Sequence, residues 1–503
     1  MQRWKPRHNP WLIAVTVSVA TFMEVMDSSI LNVALPNVAG GLSAGQDEST
    51  WVLTSYLVAN AVVLPLTAWL CDVFGRKRFY MACVAMFTIS SLLCGLATNL
   101  AMLVCLRVLQ GAAGGGLAPS EQAILADTFE PKKQGQAFAL YGLAIVFAPA
   151  VGPFLGGWLT DHLSWRWIFF VNIPFGLLSL FLSSRLVEDP PHAVRKPDAG
   201  RRADYLGITL ISLCLGPLQI VLDKGQREDW FDTTYITVFS ILSAVSLALF
   251  IIWERRQKYP VMDLSVFKDR TFSIANILMF FVGFALYSST LLLPQLAQTL
   301  MGYSAQKSGE LLSPGGFALV LTMPLVGFLT SKVQGRFLTG FGFLIISISL
   351  FHMTHFEVGM DFRTAMWARI YQSMALGFLF VPINAAAFAD LPAEKSNKAS
   401  SLLNLFRNVG ASFGISTVTT ILARRGQYHQ SVLASHSGSA AFGMQSDHLA
   451  TILTQGGALA ASARTMAQGQ LYSTLVRQAN MLAYIDAFWV LGIATACMVP
   501  LIL

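Results

Sequence analysis

Two acids and an arginine stand inside runs that are otherwise apolar enough to lie in lipid. Glu24 and Asp27 fall in the run 11–33, and Arg107 falls in the run 101–125. Each charge costs roughly 2.5–3.5 kcal/mol at a helix centre on insertion scales, so residues of this kind are kept for pairing or for chemistry. Glu24 and Asp27 are spaced to share one helix face. Counting ~1.5 Å per residue from Trp11, Asp27 lies roughly 24 Å along its helix, and Arg107 lies about 10 Å below the far end of its own. Within a hydrocarbon core of about 30 Å the two reach similar depth, close enough to pair directly or through water. The pair admits two readings. One is a proton switch, loaded on one side and unloaded on the other, with a membrane potential supplying about 2.3 kcal/mol per charge per 100 mV. The other is a static pair that holds two helices together. Glu24 suits a proton or a cationic substrate equally. Arg369 and Arg407, also within apolar runs, read as structural clamps or as members of a relay.

Other chemistries find no residues. There is no HExxH, GxSxG or Walker lysine and no clustered His/Cys set, so the sequence predicts no enzyme, no metal site, no cofactor and no nucleotide drive. His352 and His355 read as solvated residues at a loop edge. Cys71, Cys83, Cys94, Cys105, Cys214 and Cys497 lie in or beside apolar runs and read as buried structural thiols. The net charge of +7 sits in short segments between those runs, which points to membrane topology and not to nucleic acid.

The elements that position these charges follow from composition. Of the 503 residues 54% are hydrophobic and 12% charged, with a mean hydropathy of +0.57; soluble chains carry about 25% charged residues. Fourteen spans are predicted near 11–33, 51–71, 79–99, 101–125, 136–158, 167–185, 204–222, 233–253, 272–297, 310–331, 337–354, 364–388, 399–422 and 481–503. With the amino terminus inside, 22 of the 34 basic residues fall in cytoplasmic segments and nine outside, which places both termini in the cytoplasm. The basic start lacks a small-residue cleavage site and reads as leading into a retained first helix.

The expected organisation is an N-terminal six-helix bundle over 1–185, a cytoplasmic linker over 186–203, two additional helices over 204–271, and a C-terminal six-helix bundle over 272–503. The last contains a long outer loop at 423–480, whose part near 447–478 suits a helix. Arg107-Val-Leu-Gln110 with Gly115 recurs as Arg369-Ile-Tyr-Gln372 with Gly377, as two repeated halves would show. In the fifth span Gly142, Pro149, Gly152, Pro153, Gly156 and Gly157 permit close contact and bending, as a hinge, a sliding contact or a merely kinked packing helix would. Gly410 and Gly414 give a similar small face later. Phe22, Met23, Met26, Tyr56, Phe147, Tyr287 and Tyr371 are candidates to line a central cavity.

Five segments together resemble the major facilitator superfamily, in its fourteen-helix drug/proton antiporter branch, which includes EmrB-type exporters. They are Asp27-Ser-Ser-Ile-Leu-Asn-Val-Ala-Leu-Pro36, Asp72-Val-Phe-Gly-Arg-Lys77, Leu106-Arg107 through Gln110-Gly111, Gly142 through Gly157, and Trp165-Arg-Trp-Ile-Phe-Phe-Val-Asn-Ile-Pro174. The resemblance covers essentially the whole chain and implies an all-α integral membrane protein of the major facilitator fold. It implies proton coupling through Asp27 and Arg107, a cytoplasmic gate of Asp72, Gly75, Arg76 and Lys77, and proton-driven efflux of hydrophobic or amphiphilic compounds across a bacterial inner membrane. Ala68 and Val73 depart from the usual loop motif. The implied partners are an EmrA-like periplasmic adaptor, which the 423–480 loop could contact, and a TolC-like outer-membrane channel. A dedicated exporter of one endogenous metabolite (a siderophore, fatty acid or amino-acid derivative) is the nearest alternative; a membrane receptor or scaffold without transport is another.

Overall fold

The first helix starts where its capping chemistry dictates. Asn9 accepts from the Trp11 amide at 2.9 Å and Pro10 takes the first helical position, where its missing N–H costs nothing. Asn99, Asp204 and Asp269 cap three later helices in the same way. The computed structural model describes residues 4, 6–191, 204–257, 260–389, 391–436, 439–456 and 459–502. Most of the expected linker, 192–203, lies outside the described residues.

The long helices are α1 (Pro10–Gly41), α2 (Trp51–Phe74), α3 (Arg76–Gly95), α4 (Leu100–Thr128), α5 (Pro131–His162), α6 (Asn172–Leu186), α7 (Tyr205–Lys224), α8 (Thr234–Glu254), α9 (Arg270–Thr299), α10 (Ala305–Leu329), α11 (Gly335–Met353), α12 (Phe362–Ala389), α13 (Ser396–His436), α14 (Ser439–Gln455) and α15 (Ala460–Ala496). Among the described residues twelve helices are long and apolar enough to cross a bilayer. A thirteenth, α5, qualifies when its limbs Pro131–Pro149 and Phe154–His162, bent by 43°, count as one. The remaining expected span, 399–422, lies within α13, whose polar residues keep it below that mark.

The packing pattern repeats. α1 lies on α5, α2 on α4, α3 on α4 and α6; in the second set α9 lies on α13, α10 on α12, α11 on α12 and α15. α7 and α8 pair with each other, and α7 docks on α2 and α13. Polarity is inverted as lipid requires: Leu321 is 78% exposed and Phe317 63%, while Arg107 is fully buried. Cys105 and Cys497 are exposed on this apolar exterior, correcting the expectation that all six thiols are buried.

We call the end at which α1 begins basal and the other distal. Contacts between the two sets close the basal end: Phe138 stacks on Phe388 at 5.5 Å, Asn404 Nδ2 donates to Gln122 Oε1 at 2.7 Å, and Ser396 Oγ donates to Asp127 Oδ1 at 2.9 Å. At the distal end α13 runs on to His436. At ~1.5 Å per residue its 41 residues span about 60 Å, twice the hydrocarbon thickness. The segment 423–480 is therefore mostly helical, and the helix expected at 447–478 is two, broken between Gln455 and Ala460. Arg425 and His429 both donate to Asp486 Oδ2, at 2.5 and 2.7 Å, tying the extension of α13 to α15.

Candidate functional site

Asp27 and Arg107 meet directly. Arg107 Nη1 donates to Asp27 Oδ2 at 2.6 Å, and its Nε donates to the Val52 carbonyl at 3.1 Å. Two amides complete the carboxylate's shell: Gln110 Nε2 donates to Oδ1 at 3.0 Å and Asn172 Nδ2 at 2.7 Å. Gln110 stands one turn along from Arg107 and accepts from its Nη1 at 2.7 Å. Asn172 is itself held by Ser91 Oγ at 3.0 Å. The guanidinium lies 4.3 Å from the Tyr56 ring centre, a cation–π contact. This tight shell needs α4 close against α2, and Gly111 allows it, since a Cβ there would strike the Tyr56 backbone. A desolvated ion pair is tolerable only when its remaining lone pairs and protons are satisfied, and this one nearly is.

Glu24 is half-buried one turn toward the basal end. Its Oε1 accepts from Asn60 Nδ2 at 3.3 Å and, more weakly, from the Tyr56 hydroxyl at 3.5 Å. Asn60 Oδ1 accepts from Asn408 Nδ2 at 2.9 Å, so one amide links the acid to α13 of the second set. Arg407, the neighbour of Asn408, acts electrostatically on Glu24 and on Glu121, and its Nη1 has no hydrogen-bond partner. Glu121 was missed in the sequence. It is fully buried on α4, accepts a short bond from Thr21, one further turn down α1, and leaves Oε1 without a partner. Its signal was present, an acid within the run 101–125, but it stands close to the edge of that run. Gln110 and Asn172 sat inside quoted motifs without an assigned role.

At the basal end Gly75 turns the chain from α2 to α3 with φ at +86°, a region costly for other residues. Arg76, 1% exposed, pairs with Asp127 at 2.7 Å and donates to the Ala123 carbonyl at 3.1 Å. Lys77 is turned elsewhere: its backbone N–H donates to Asp189 at 2.8 Å and its Nζ to the Ser184 carbonyl at 2.8 Å. The structure thus gives Arg76 an acid at the end of α4, which the sequence reading did not single out. Asp72, half-buried, also has an interaction partner.

On α5, Gly152 and Gly156 face Ser29 and Ile30 of α1, and Ser29 Oγ donates to the Pro149 carbonyl at 3.4 Å. Gly142 instead faces Phe380 and Met323 of the second set, and a Cβ on Gly157 would meet open space among the described residues. The side chain of Pro153 lies outside the described ones. Gly410 and Gly414 approach Phe280 and Phe284 of α9. Among the cavity candidates, Met23 and Met26 are fully packed in the core and Tyr56 lies beneath Arg107. Phe22 and Phe147, both half-buried, stack at 6.4 Å, and Tyr287 is half-buried. Tyr371 is 48% exposed and stacked on the exposed Trp367, so it belongs to the exterior face of α12 and not to a cavity. Arg369 and Gln372 meet at 2.8 Å on the opposite face.

Residues 17–415 match the family model described as Major Facilitator Superfamily. The chain is 38% identical over 426 residues to the fatty acid resistance protein FarB of Neisseria gonorrhoeae, covering 84% of this chain and 83% of that one. It is 37% identical to the probable multidrug resistance protein EmrY of Escherichia coli (84% and 82% covered) and 35% identical to the multidrug export protein EmrB of the same organism (86% and 84%). Among solved structures, the human organic anion transporter TETRAN aligns with a TM-score of 0.59 over 97% of this chain and 100% of its own at 12% identity. The proton:xylose symporter XylE aligns at 0.59 over 96% and 94% at 13% identity. These two carry the fold alone; with the family model and the closer relatives they place the chain in the Major Facilitator Superfamily.

Proposed function

We propose that this chain is a multidrug exporter of the bacterial inner membrane, which exchanges incoming protons for outgoing hydrophobic or amphiphilic compounds and carries out no catalysis. The observation that carries the reading is the Asp27 carboxylate, buried at membrane depth and bound by Arg107, Gln110 and Asn172. An acid held this way can take a proton only if Arg107 and the amides let go. Protonation is thereby tied to the relative position of α1, α4 and α6. The relatives named as multidrug export and resistance proteins support the same reading.

The basal end is the cytoplasmic one in this proposal, with both termini there. The structure is then closed to the cytoplasm by the Phe138–Phe388, Gln122–Asn404 and Asp127–Ser396 contacts. Arg76, paired with Asp127, would hold that latch, with Asp72, Gly75 and Lys77 shaping it. The α1–α5 contact through Gly152 and Gly156 would be the sliding surface. The distal extension formed by α13, α14 and the start of α15 would receive an EmrA-like periplasmic adaptor leading to a TolC-like channel.

Reconstitution in liposomes under an imposed pH gradient tests the central claim. Wild-type protein expels a fluorescent amphiphile and Asp27→Asn does not, at equal insertion; gradient-driven efflux by the variant would refute it. Removing residues 437–459 should abolish adaptor pull-down while efflux from vesicles persists.

A further inference from the structure

The second set of helices repeats half of the Asp27 site and omits the acid. Arg369 Nη1 donates to Gln372 Oε1 at 2.8 Å, as Arg107 Nη1 does to Gln110 Oε1 at 2.7 Å, each pair on the helix that packs against the second member of its set. In the first set α1 brings Asp27 into the fork. Its counterpart by packing, α9, carries no Asp or Glu along its length. Among the described residues no carboxylate lies within ion-pair distance of Arg369. The side chain is 5% exposed. A buried cation without a counter-ion is strongly disfavoured unless something binds it.

The donors left over converge. Arg369 Nε, Gln372 Nε2 and Ser373 Oγ all lack partners, and all lie on one turn of α12. Across from them is Gly315 of α10; a Cβ there would lie 2.5 Å from Ser373 Oγ and 3.0 Å from Arg369 Cγ. α10 is interrupted beside this point by Pro314, which removes a helical hydrogen bond and lets that turn yield. The same face of α12 continues to Phe380, which stacks on Tyr141 of α5 at 6.1 Å. The clamp therefore looks toward the seam between the two helix sets.

We propose that Arg369, Gln372 and Ser373 form a binding site for the anionic headgroup, foremost a carboxylate, of an amphiphilic cargo. The cargo supplies from outside the charge that Asp27 supplies in the first set. The assignment rests on the export reading above and narrows its substrate class. Arg369 gives a planar fork that matches a carboxylate, Gln372 and Ser373 give the neutral donors, and the parting of α10 from α12 admits the ligand.

The test uses the full chain in phosphatidylcholine vesicles and equilibrium binding of decanoate, decanol and decyltrimethylammonium. Wild-type protein should hold decanoate roughly 10–100-fold more tightly than decanol, the ratio expected for hydrogen bonds to a charged group. Arg369→Gln should bring decanoate down to the decanol level and leave the other two unchanged, and Arg369→Lys should restore part of the difference. Gln372→Leu, which keeps the cation, should lower decanoate affinity alone and serves if Arg369→Gln does not accumulate. Equal wild-type affinity for decanoate and decanol, or a parallel loss of all three ligands in the variants, overturns the site. Displacement of decanoate by added phosphatidylglycerol would assign the clamp to lipid phosphate and overturn the cargo reading. Gradient-driven efflux of anionic, neutral and cationic fluorescent amphiphiles, measured in the same vesicles, judges the export reading separately: absence of efflux of all three from wild type would defeat that reading whatever decanoate binding shows.

Discussion

Asn172 reaches Asp27 across 145 positions of sequence, donating to Oδ1 at 2.7 Å while the same amide also bonds Ser91 Oγ at 3.0 Å. The second bond aims the first. An asparagine fixed this way positions the carboxylate against Arg107 instead of merely neighbouring it. Asn172→Leu removes both bonds and leaves the ion pair, so turnover should fall roughly tenfold or more, the scale of a hydrogen bond to a charged group. Ser91→Ala, which only loosens the aim, should cost less. Efflux rates at matched vesicle content check the order; an Asn172→Leu variant as fast as wild type would remove the positioning role.

The Asp27–Arg107 pair separates stability from function. Removing either partner leaves the other buried and unmatched, at a cost of about 3–5 kcal/mol, whereas replacing both with neutral residues is often near neutral. Asp27→Asn and Arg107→Gln should each lower the melting temperature in detergent, and the double variant should recover most of the loss. Efflux should be absent from all three. A double variant as unstable as the worse single would show that the two residues do not act as a pair.

The depth of this pair was legible in the sequence because charge in lipid is expensive and helical rise is constant. Counting residues from two helix ends was enough to bring Asp27 and Arg107 together. Gln110, Asn172 and Asn60 were not legible as ligands, since neutral amides disturb hydropathy too little to stand out. Asp127 lay just past the expected end of the span at 125 and was not singled out, yet α4 continues to Thr128 and buries it beneath Arg76. The length of α13 was hidden for a related reason. Asn404, Arg407, Asn408 and Ser412 turn toward neighbouring helices, so a membrane helix looks polar and its extension looks like a loop. Tyr371 misled because an aromatic beside Gln372 shares a turn with it but not a face.

Asp127 joins two functions at the basal end, pairing with Arg76 through Oδ2 and accepting from Ser396 through Oδ1. Asp127→Asn retains shape and loses charge, so the cross-set bond should weaken and the basal end should open more readily. A cysteine placed at Phe138, which is buried against Phe388, should then react faster with a water-soluble thiol reagent than it does in the Asp127 background. Unchanged labelling would mean that the aromatic stack alone holds the seal.

Asp263, in the segment before α9, joins that segment to α13. Burial raises its carboxyl, but Ser265 and the cations Lys398 and Lys395 outweigh burial and bring it down to about 2. A carboxyl depressed in the fold contributes stability above its unfolded value, near 3.9, and loses it as pH falls through the folded value. Asp263→Asn should therefore lower the melting temperature by a constant amount from pH 5 to 8. The gap to wild type should shrink only as the pH drops from about 4 toward 2. A gap that closes near neutrality would place the contribution elsewhere, since no titration of Asp263 occurs there.

Glu121 is the charge with the weakest structural justification. It is fully buried, one oxygen bonded by Thr21 and the other unpartnered, with Glu24 and Arg407 as its electrostatic neighbours. A carboxyl in that state contributes little to folding, and a residue of similar size without charge should do as well or better. Glu121→Gln should hence melt at or above the wild-type temperature. If Glu121 continues toward the basal end the line of acids formed by Asp27 and Glu24, the same variant should lose most gradient-driven efflux, by about tenfold or more if proton transfer depends on it. Thr21→Val, which removes the single donor and spares the acid, should keep efflux but change its dependence on pH. Should Glu121→Gln expel cargo at the wild-type rate, the proton route ends at Glu24, and Glu121 is a packing residue of α4.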